Sequence, residues 1–407
     1  MRVHTLTAVG TLFGISTFAG ADVTLVGTGS LPGNTKDKSG LKGNASDGTP
    51  LDTLGGHGSA IAGMDTPGMY VLASDRGPKD GTVPFPARLH SMKIEVKPGE
   101  KKPITIELLS TTLLKDENGK SFDGSASSFQ HSKAEKNLRL DIEGVRVAGN
   151  GHVFVSDEYG PVVYEFDPKG KRIRSLKVPA KFLIAKPSKT VADELPPKTT
   201  SGRQPNRGLE CLAISPDGSK LFGLMQGPLI QDNGVNAKNE RTGRNCRILE
   251  IDLKTEATRE FVYHLEHANH GNSEMVAVND HEFLVLERDS LGGKDAKAKQ
   301  VFHIDITGAT DVGNVEVLPA KDLPKAITPV KKKLFLDLLD RKHGIQDADM
   351  PEKFEGLAFG PDLADGRHLL LVTADNDFIQ TKPFRVYAFA IDPADLPKYT
   401  PQVFGKK

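Results

Sequence analysis

Between residues 141 and 179 the chain alternates short apolar runs with tight polar punctuation. The runs fall at 142–147, 153–155, 162–166 and 173–178, and the breaks are Gly149-Asn150-Gly151, Tyr159-Gly160-Pro161 and Asp167-Pro168-Lys169-Gly170. Alternation at this spacing, with Gly, Pro, Asn and Asp at each break, predicts a four-stranded antiparallel meander. Neighbouring strands reverse direction, so Glu143 at the start of the first strand and Asp157 and Glu158 at the end of the second fall at one edge of the sheet.

The same arrangement returns along the chain. Glu143-Gly-Val-Arg-Val is echoed by Glu210-Cys-Leu-Ala-Ile, Glu274-Met-Val-Ala-Val and Glu355-Gly-Leu-Ala-Phe. Each is followed by an apolar strand ending in a polar cluster: Met225-Gln226-Gly227-Pro228, Glu287-Arg288-Asp289 and Asp375-Asn376-Asp377. A weaker copy comes first, with Ser59-Ala60-Ile61 leading through 69–73 to Ser74-Asp75-Arg76-Gly77-Pro78. Repetition of a four-stranded unit predicts an all-β fold, a β-propeller, because each sheet buries its faces only against its neighbours. Five repeats are countable within a single domain at 22–407, at about 55–112, 141–179, 206–264, 272–337 and 353–392. A sixth, degenerate blade inside 180–205 or 319–353 is the alternative. The last repeat has three clear strands, and the isolated strand at 22–31 is expected to supply its fourth and close the ring.

The ordered set Ser74-Asp75-Arg76-Gly77, Ser156-Asp157-Glu158-Tyr159-Gly160-Pro161, Asn206-Arg207-Gly208-Leu209-Glu210 and Leu286-Glu287-Arg288-Asp289 resembles the phytase-like family, also described as having the esterase-like activity of phytase. The resemblance spans roughly residues 55–392. It implies a repeated domain rich in acidic residues that acts in phosphoester hydrolysis. The calcium-dependent β-propeller phytases are a different group. Their aspartate-rich, tryptophan-ending signature is absent, and the chain contains no Trp.

Composition adds constraints. Lys plus Arg and Asp plus Glu are equal at 53 each, so no bulk field recruits nucleic acid or an anionic membrane, and any electrostatic function is local. Residues 1–21 read as an export signal: Arg2, an apolar stretch over 6–18, and Ala19-Gly20-Ala21 as a small-residue cleavage site. No later stretch approaches a membrane span, so the mature protein is expected in the periplasm or outside the cell. Cys211 and Cys246 fall on the first and third strands of the third repeat, about 9.6 Å apart at the usual strand spacing and too distant to pair.

In a propeller the first strand of each blade lines the axis, which places Glu143, Glu210, Glu274 and Glu355 around the channel mouth. Asp75, Asp157, Glu158, Glu287, Asp289, Asp375 and Asp377 are expected around them. So many carboxylates require a counter-charge. A hard divalent ion held by oxygen donors, Ca²⁺ before Zn²⁺, is one source. Forked ion pairs from Arg76, Arg207 and Arg288 are the other. His264, His267 and His270 recur every third residue, and His270, four residues before Glu274, is the candidate general acid or base. No Gly-x-Ser-x-Gly elbow is present. The leading expectation is a metal-assisted hydrolase acting on a small phosphorylated substrate, with Glu143, Glu210, Glu274, Glu355, Arg76, Arg207, Arg288 and His270 in the catalytic set. The alternative is a non-catalytic propeller binding a ligand or partner on the same face.

Overall fold

The computed structural model describes residues 21–129, 137–188 and 190–405. The expected export signal lies outside them apart from Ala21. Among the described residues the chain forms five four-stranded antiparallel sheets and almost no helix. Blade 1 is β2 (Ala60–Gly63), β3 (Met69–Ala73), β4 (Arg88–Val96) and β5 (Ile104–Leu113). Blade 2 is β6 (Ile142–Val147), β7 (Val153–Asp157), β8 (Val163–Phe166) and β9 (Arg172–Leu176). Blade 3 is β10 (Leu209–Ile214), β11 (Lys220–Met225), β12 (Asn245–Asp252) and β13 (Thr258–His264). Blade 4 is β14 (Gly271–Ala277), β15 (Glu282–Arg288), β16 (Lys299–Asp305) and β17 (Lys331–Asp337).

Blade 5 takes β18 (Phe354–Phe359), β19 (His368–Ala374) and β20 (Phe384–Ile391) from the C-terminal end and β1 (Val23–Leu31) from the N-terminal end. β1 runs antiparallel to β20 from Val23 opposite Ile391 to Leu31 opposite Phe384, so the first strand of the fold completes the last blade. The ring therefore has five blades. In the segment 180–205, a possible home for a sixth, the described residues form no strand and carry two 3-10 turns, pinned by Arg203 to Glu194 at 2.6 Å and by the Tyr159 hydroxyl donating to Glu194 at 3.0 Å.

The five largest apolar clusters each sit between two neighbouring blades. Val145, Val155 and Phe166 pack on Val71 and Leu89 between blades 2 and 1, and Phe222 meets Phe283 between blades 3 and 4. This explains why inner strands such as β6 and β10 are buried at every position while outer β5 and β17 are largely half-buried or exposed: an inner strand lies packed between neighbouring blades along its whole length. Cys211 and Cys246 are separate buried thiols in the cluster between blades 3 and 4.

The axis is blocked part-way along. Arg146 on β6 donates to the Ile61 carbonyl of β2 at 3.0 Å and reaches Glu274 on β14 at 3.1 Å, joining blades 1, 2 and 4. Blades 2 and 4 are not neighbours, so this pair crosses the channel. The C-terminal tail straps the mouth where the first strands end: Thr400 N donates to Val278 O and Val403 N to Pro216 O, both at 2.8 Å, and Gln402 Nε2 donates to Val147 O at 2.6 Å. The opposite mouth, where the first strands begin, carries the acidic residues.

Candidate functional site

Register explains which acids reach that mouth. In blades 2, 3 and 5 the pairing of the first strand slips by one residue, between Ile142 and Gly144, Leu209 and Cys211, and Phe354 and Gly356. The residue extruded at each bulge is Glu143, Glu210 or Glu355. A bulge re-aims the side chain it carries, which is why bulges recur beside functional sites. In blade 4 the slip lies between Asn272 and Glu274, so Ser273 takes the bulge and Glu274 stands one place further along. There it accepts from Leu212 N, Met275 N and Arg146, and it belongs to the mid-channel plug. The expected ring of four glutamates is a ring of three.

The remaining acids divide into two groups. Asp157 closes its own turn, accepting from Asp141 N at 2.8 Å and Gly160 N at 2.6 Å. Glu287 accepts from the Tyr263 hydroxyl, Glu266 N, His270 Nδ1 and Lys332 Nζ at 2.7–2.8 Å. Asp289 takes Lys299 Nζ at 2.8 Å and the amides of Leu291, Lys297 and Ala298. These three are saturated and lie outside the clusters at the mouth.

The others converge. Among the described residues, one donor atom from each of Glu143, Glu158 and Glu210 falls within 4.8 Å of the others, and the same holds for Asp75, Asp141 and Glu143 and for Asp75, Asp375 and Asp377. The third group already has a cation: Lys353 Nζ lies 2.5 Å from Asp377 and 3.7 Å from Asp75. Arg76 Nη1 reaches Asp141 at 2.7 Å and Glu158 at 3.4 Å, and Arg288 Nη2 holds Glu355 at 2.6 Å. Glu143, Glu158 and Glu210 are left undercompensated. Glu158 Oε1 and Glu210 Oε2 are buried without a hydrogen-bond partner, and only Gln226 Nε2 donates to Glu210 Oε1. An unsatisfied buried carboxylate oxygen is costly, so the donor set fits a hard divalent cation.

Beside this triad lie two arginines, Arg207 and Arg241. Arg207 donates from Nη2 to the Gln226 carbonyl at 3.1 Å and to the His270 carbonyl. His270 thus holds Arg207 through its backbone while its ring bonds Glu287. Neither Arg207 nor Arg241 forms an ion pair among the described residues, although Arg207 is 97% buried. Burial and the neighbouring Arg241 guanidinium push Arg207 down to about 9, and burial and Arg288 lower Arg241. The two arginines border a polar cavity of about 620 Å³ with Asn206, Glu240 and Asn269, and Asn206 Oδ1 accepts from Arg76 at the edge of the acids.

Asp141, Arg241 and Lys353 carry no repeat motif. Asp141 and Lys353 share one signal, standing two residues before a bulge glutamate. Arg241 sits in the polar insert of blade 3, where nothing in the local sequence marks it.

Burial and the charges of its neighbours, Glu210 first, push the Glu143 carboxyl well above the carboxylate range, and burial with Glu158 does the same to Glu210. Burial and the Asp141 charge bring Glu158 to about 7, and burial brings Asp157 to about 7. A fold that holds these protons more tightly than the unfolded chain gains stability that is fully present below the ordinary carboxylate range and lost as pH rises through the folded values. Metal-free protein is therefore expected to melt at steadily lower temperature as pH rises from about 5 to about 8, with added Ca²⁺ restoring most of the loss at the upper end. Melting curves in chelator across that window check this, and a flat or rising melting temperature would refute it.

The family model described as phytase-like, esterase-like activity of phytase, matches residues 52–378. The chain belongs to this family. An uncharacterized secreted protein of Arthroderma benhamiae is 28% identical over 460 residues, covering 87% of this chain and 86% of that protein. Among solved structures, a gluconolactonase from Xanthomonas campestris covers 92% of this chain and 98% of its own at 8% identity and a TM-score of 0.39. The PQQ-bound aldose sugar dehydrogenase of Streptomyces coelicolor covers 90% and 99% at 10% identity and a TM-score of 0.34. Likeness of that order says nothing about the chemistry of this family member.

Proposed function

We propose that this phytase-like propeller is an exported, metal-assisted phosphoester hydrolase. The observation that carries the reading is the juxtaposition at one mouth of an undercompensated carboxylate triad, Glu143, Glu158 and Glu210, with two arginines that form no ion pair among the described residues, Arg207 and Arg241. Carboxylates alone repel a phosphate and arginines alone need no acids beside them, whereas a cation-bridged phosphate uses both. Export is supported by the apolar 6–18 stretch with Ala19-Gly20-Ala21 and by the secreted relative. No helix among the described residues is long and apolar enough to cross a membrane.

In this reading Glu143, Glu158 and Glu210 hold the divalent ion, taken as Ca²⁺ because every donor is a hard oxygen. A bound ion would supply polarisation of a phosphoryl oxygen and a lowered pKa for the attacking water. Arg207 and Arg241 orient the remaining phosphate oxygens, and Gln226 holds Glu210 in place. Arg288 and Glu355 act as a staple between blades 4 and 5 that keeps the third bulge glutamate beside the triad.

The paired half of the ring favours the second reading, a non-catalytic binding propeller, since Arg288 with Glu355 and Arg76 with Asp141 are ordinary inter-blade staples. One set of variants separates the two. Glu210→Gln keeps size and hydrogen-bonding capacity but removes charge, and is expected to lose the ion held by the Glu143, Glu158 and Glu210 triad and phosphoesterase activity together, by roughly 100-fold or more in kcat/KM, with the fold intact. Arg207→Lys is expected to retain metal while raising KM, because an ammonium cannot reproduce the guanidinium fork. Elemental analysis, melting curves and assays on phosphomonoesters, phosphodiesters and carboxylesters decide the matter. Normal metal content with a much lower melting temperature in Glu210→Gln, and no turnover by the wild type, would replace the enzyme with the binding propeller.

A further inference from the structure

Glu143 belongs to two of the acidic groups at once. It shares donor distance with Glu158 and Glu210 on one side and with Asp75 and Asp141 on the other. The second group is not explained by the first. Asp141 is 99% buried; Arg76 Nη1 takes its Oδ2, and its Oδ1 has no hydrogen-bond partner. Asp75 Oδ1 accepts from the Arg76 amide, its Oδ2 stands 3.7 Å from the Lys353 ammonium, and its carboxyl lies against that of Asp141. Two triads of hard oxygen donors thus meet at one carboxylate, and each has at least one buried oxygen with nothing to bind.

Charge points the same way. Asp75, Asp141, Glu143, Glu158, Glu210, Glu355, Asp375 and Asp377 form a connected patch, against which stand the paired cations Arg76, Arg288 and Lys353 and the neighbouring Arg207. Lys353 shows that this patch recruits cations: its ammonium lies 2.5 Å from Asp377 and 3.7 Å from Asp75. A carboxylate shared between two ions is also the arrangement by which two-metal sites set their ions close together.

We propose that the acidic mouth is a dinuclear centre bridged by the Glu143 carboxylate, with a second divalent cation held by Asp75 and Asp141. The inference rests on the metal-assisted reading of the same mouth and adds the second ion to it. The second ion stands beside Arg76, which explains why that arginine is held on Asp141 and Glu158 from the side: it fixes one donor of each triad without filling either.

The test uses the full mature chain, stripped with chelator and dialysed to equilibrium against Ca²⁺, with metal and protein measured together. Wild type is expected to take up about two ions, Asp141→Asn and Asp75→Asn about one, Glu210→Gln about one, and Glu143→Gln neither at the same free Ca²⁺. Two variants are used for the second ion because Asp141→Asn also loosens Arg76, and each is checked for a cooperative melt. Loading with Mn²⁺ gives a second readout, since a bridged pair produces a spin-coupled paramagnetic resonance spectrum that isolated ions lack. One ion in the wild type, unchanged in Asp141→Asn and Asp75→Asn and uncoupled as Mn²⁺, overturns the dinuclear centre while leaving a single-metal hydrolase standing. No bound ion with no phosphoesterase activity overturns both. No bound ion with activity intact overturns the centre and every metal-based reading of the mouth.

Discussion

Gly208→Ala is expected to abolish the site more completely than removal of any one of its carboxylates. A methyl group at Gly208 would stand 1.7 Å from the Glu158 carbonyl oxygen, so the loop after β7 and the turn before β10 could no longer touch. Those two segments carry Glu158 on one side and Arg207 and Glu210 on the other. Backbone cannot give way as a flexible side chain can, and separation by even about 1 Å costs on the order of 100-fold in a positioned site. The expected result is loss of bound metal, loss of phosphoesterase activity by roughly 100-fold or more, and a melting temperature lowered by several degrees through overpacking. Elemental analysis and steady-state kinetics on the same preparation check it. Retention of both metal and activity would mean that the two loops do not need to meet for the site to form.

Deleting residues 22–31 is expected to have the largest effect on stability. Among the described residues β1 is the only strand through which the N-terminal end joins blade 5, and its loss bares the full hydrogen-bonding edge of β20. The ring has no other covalent link between its first and last blades, so the deletion should weaken every blade interface rather than one end. A fall of on the order of 10 °C or more in melting temperature is expected, with proteolysis reaching the interior strands. A synthetic peptide covering 22–31, added in excess, should restore part of the loss by pairing with the vacant edge. A deletion that melts like the intact chain would show that β1 is an ornament on an already stable ring.

Much of this architecture is written in local pattern. The isolated Val23-Thr24-Leu25-Val26 strand is conspicuous because the last repeat lacks one of its own, and the two facts together place it beside β20. The glutamate echoes mark the first strands of blades 2 to 5, yet they are blind to the bulge. Whether a glutamate at the head of a strand turns to the mouth or into the channel depends on where the pairing slips, and Glu274 reads like its counterparts while facing Arg146. Lys353 and Arg241 were hidden for another reason. A lysine between loop residues and an arginine in a polar insert look like solvated surface until the ring brings Asp75, Asp377 and Arg207 to them from far along the chain. Asp141 has the same history, since its partner Arg76 belongs to the previous blade.

The Arg146 to Glu274 pair has a consequence for traffic. A propeller with a clear axis can admit a molecule at one end and discharge it at the other, but here an ion pair between blades 2 and 4, tied to a backbone carbonyl of blade 1, crosses the channel and the C-terminal tail covers the far opening. Whatever binds at the acidic mouth arrives and departs by the same door, so one occupant stands in the path of the next.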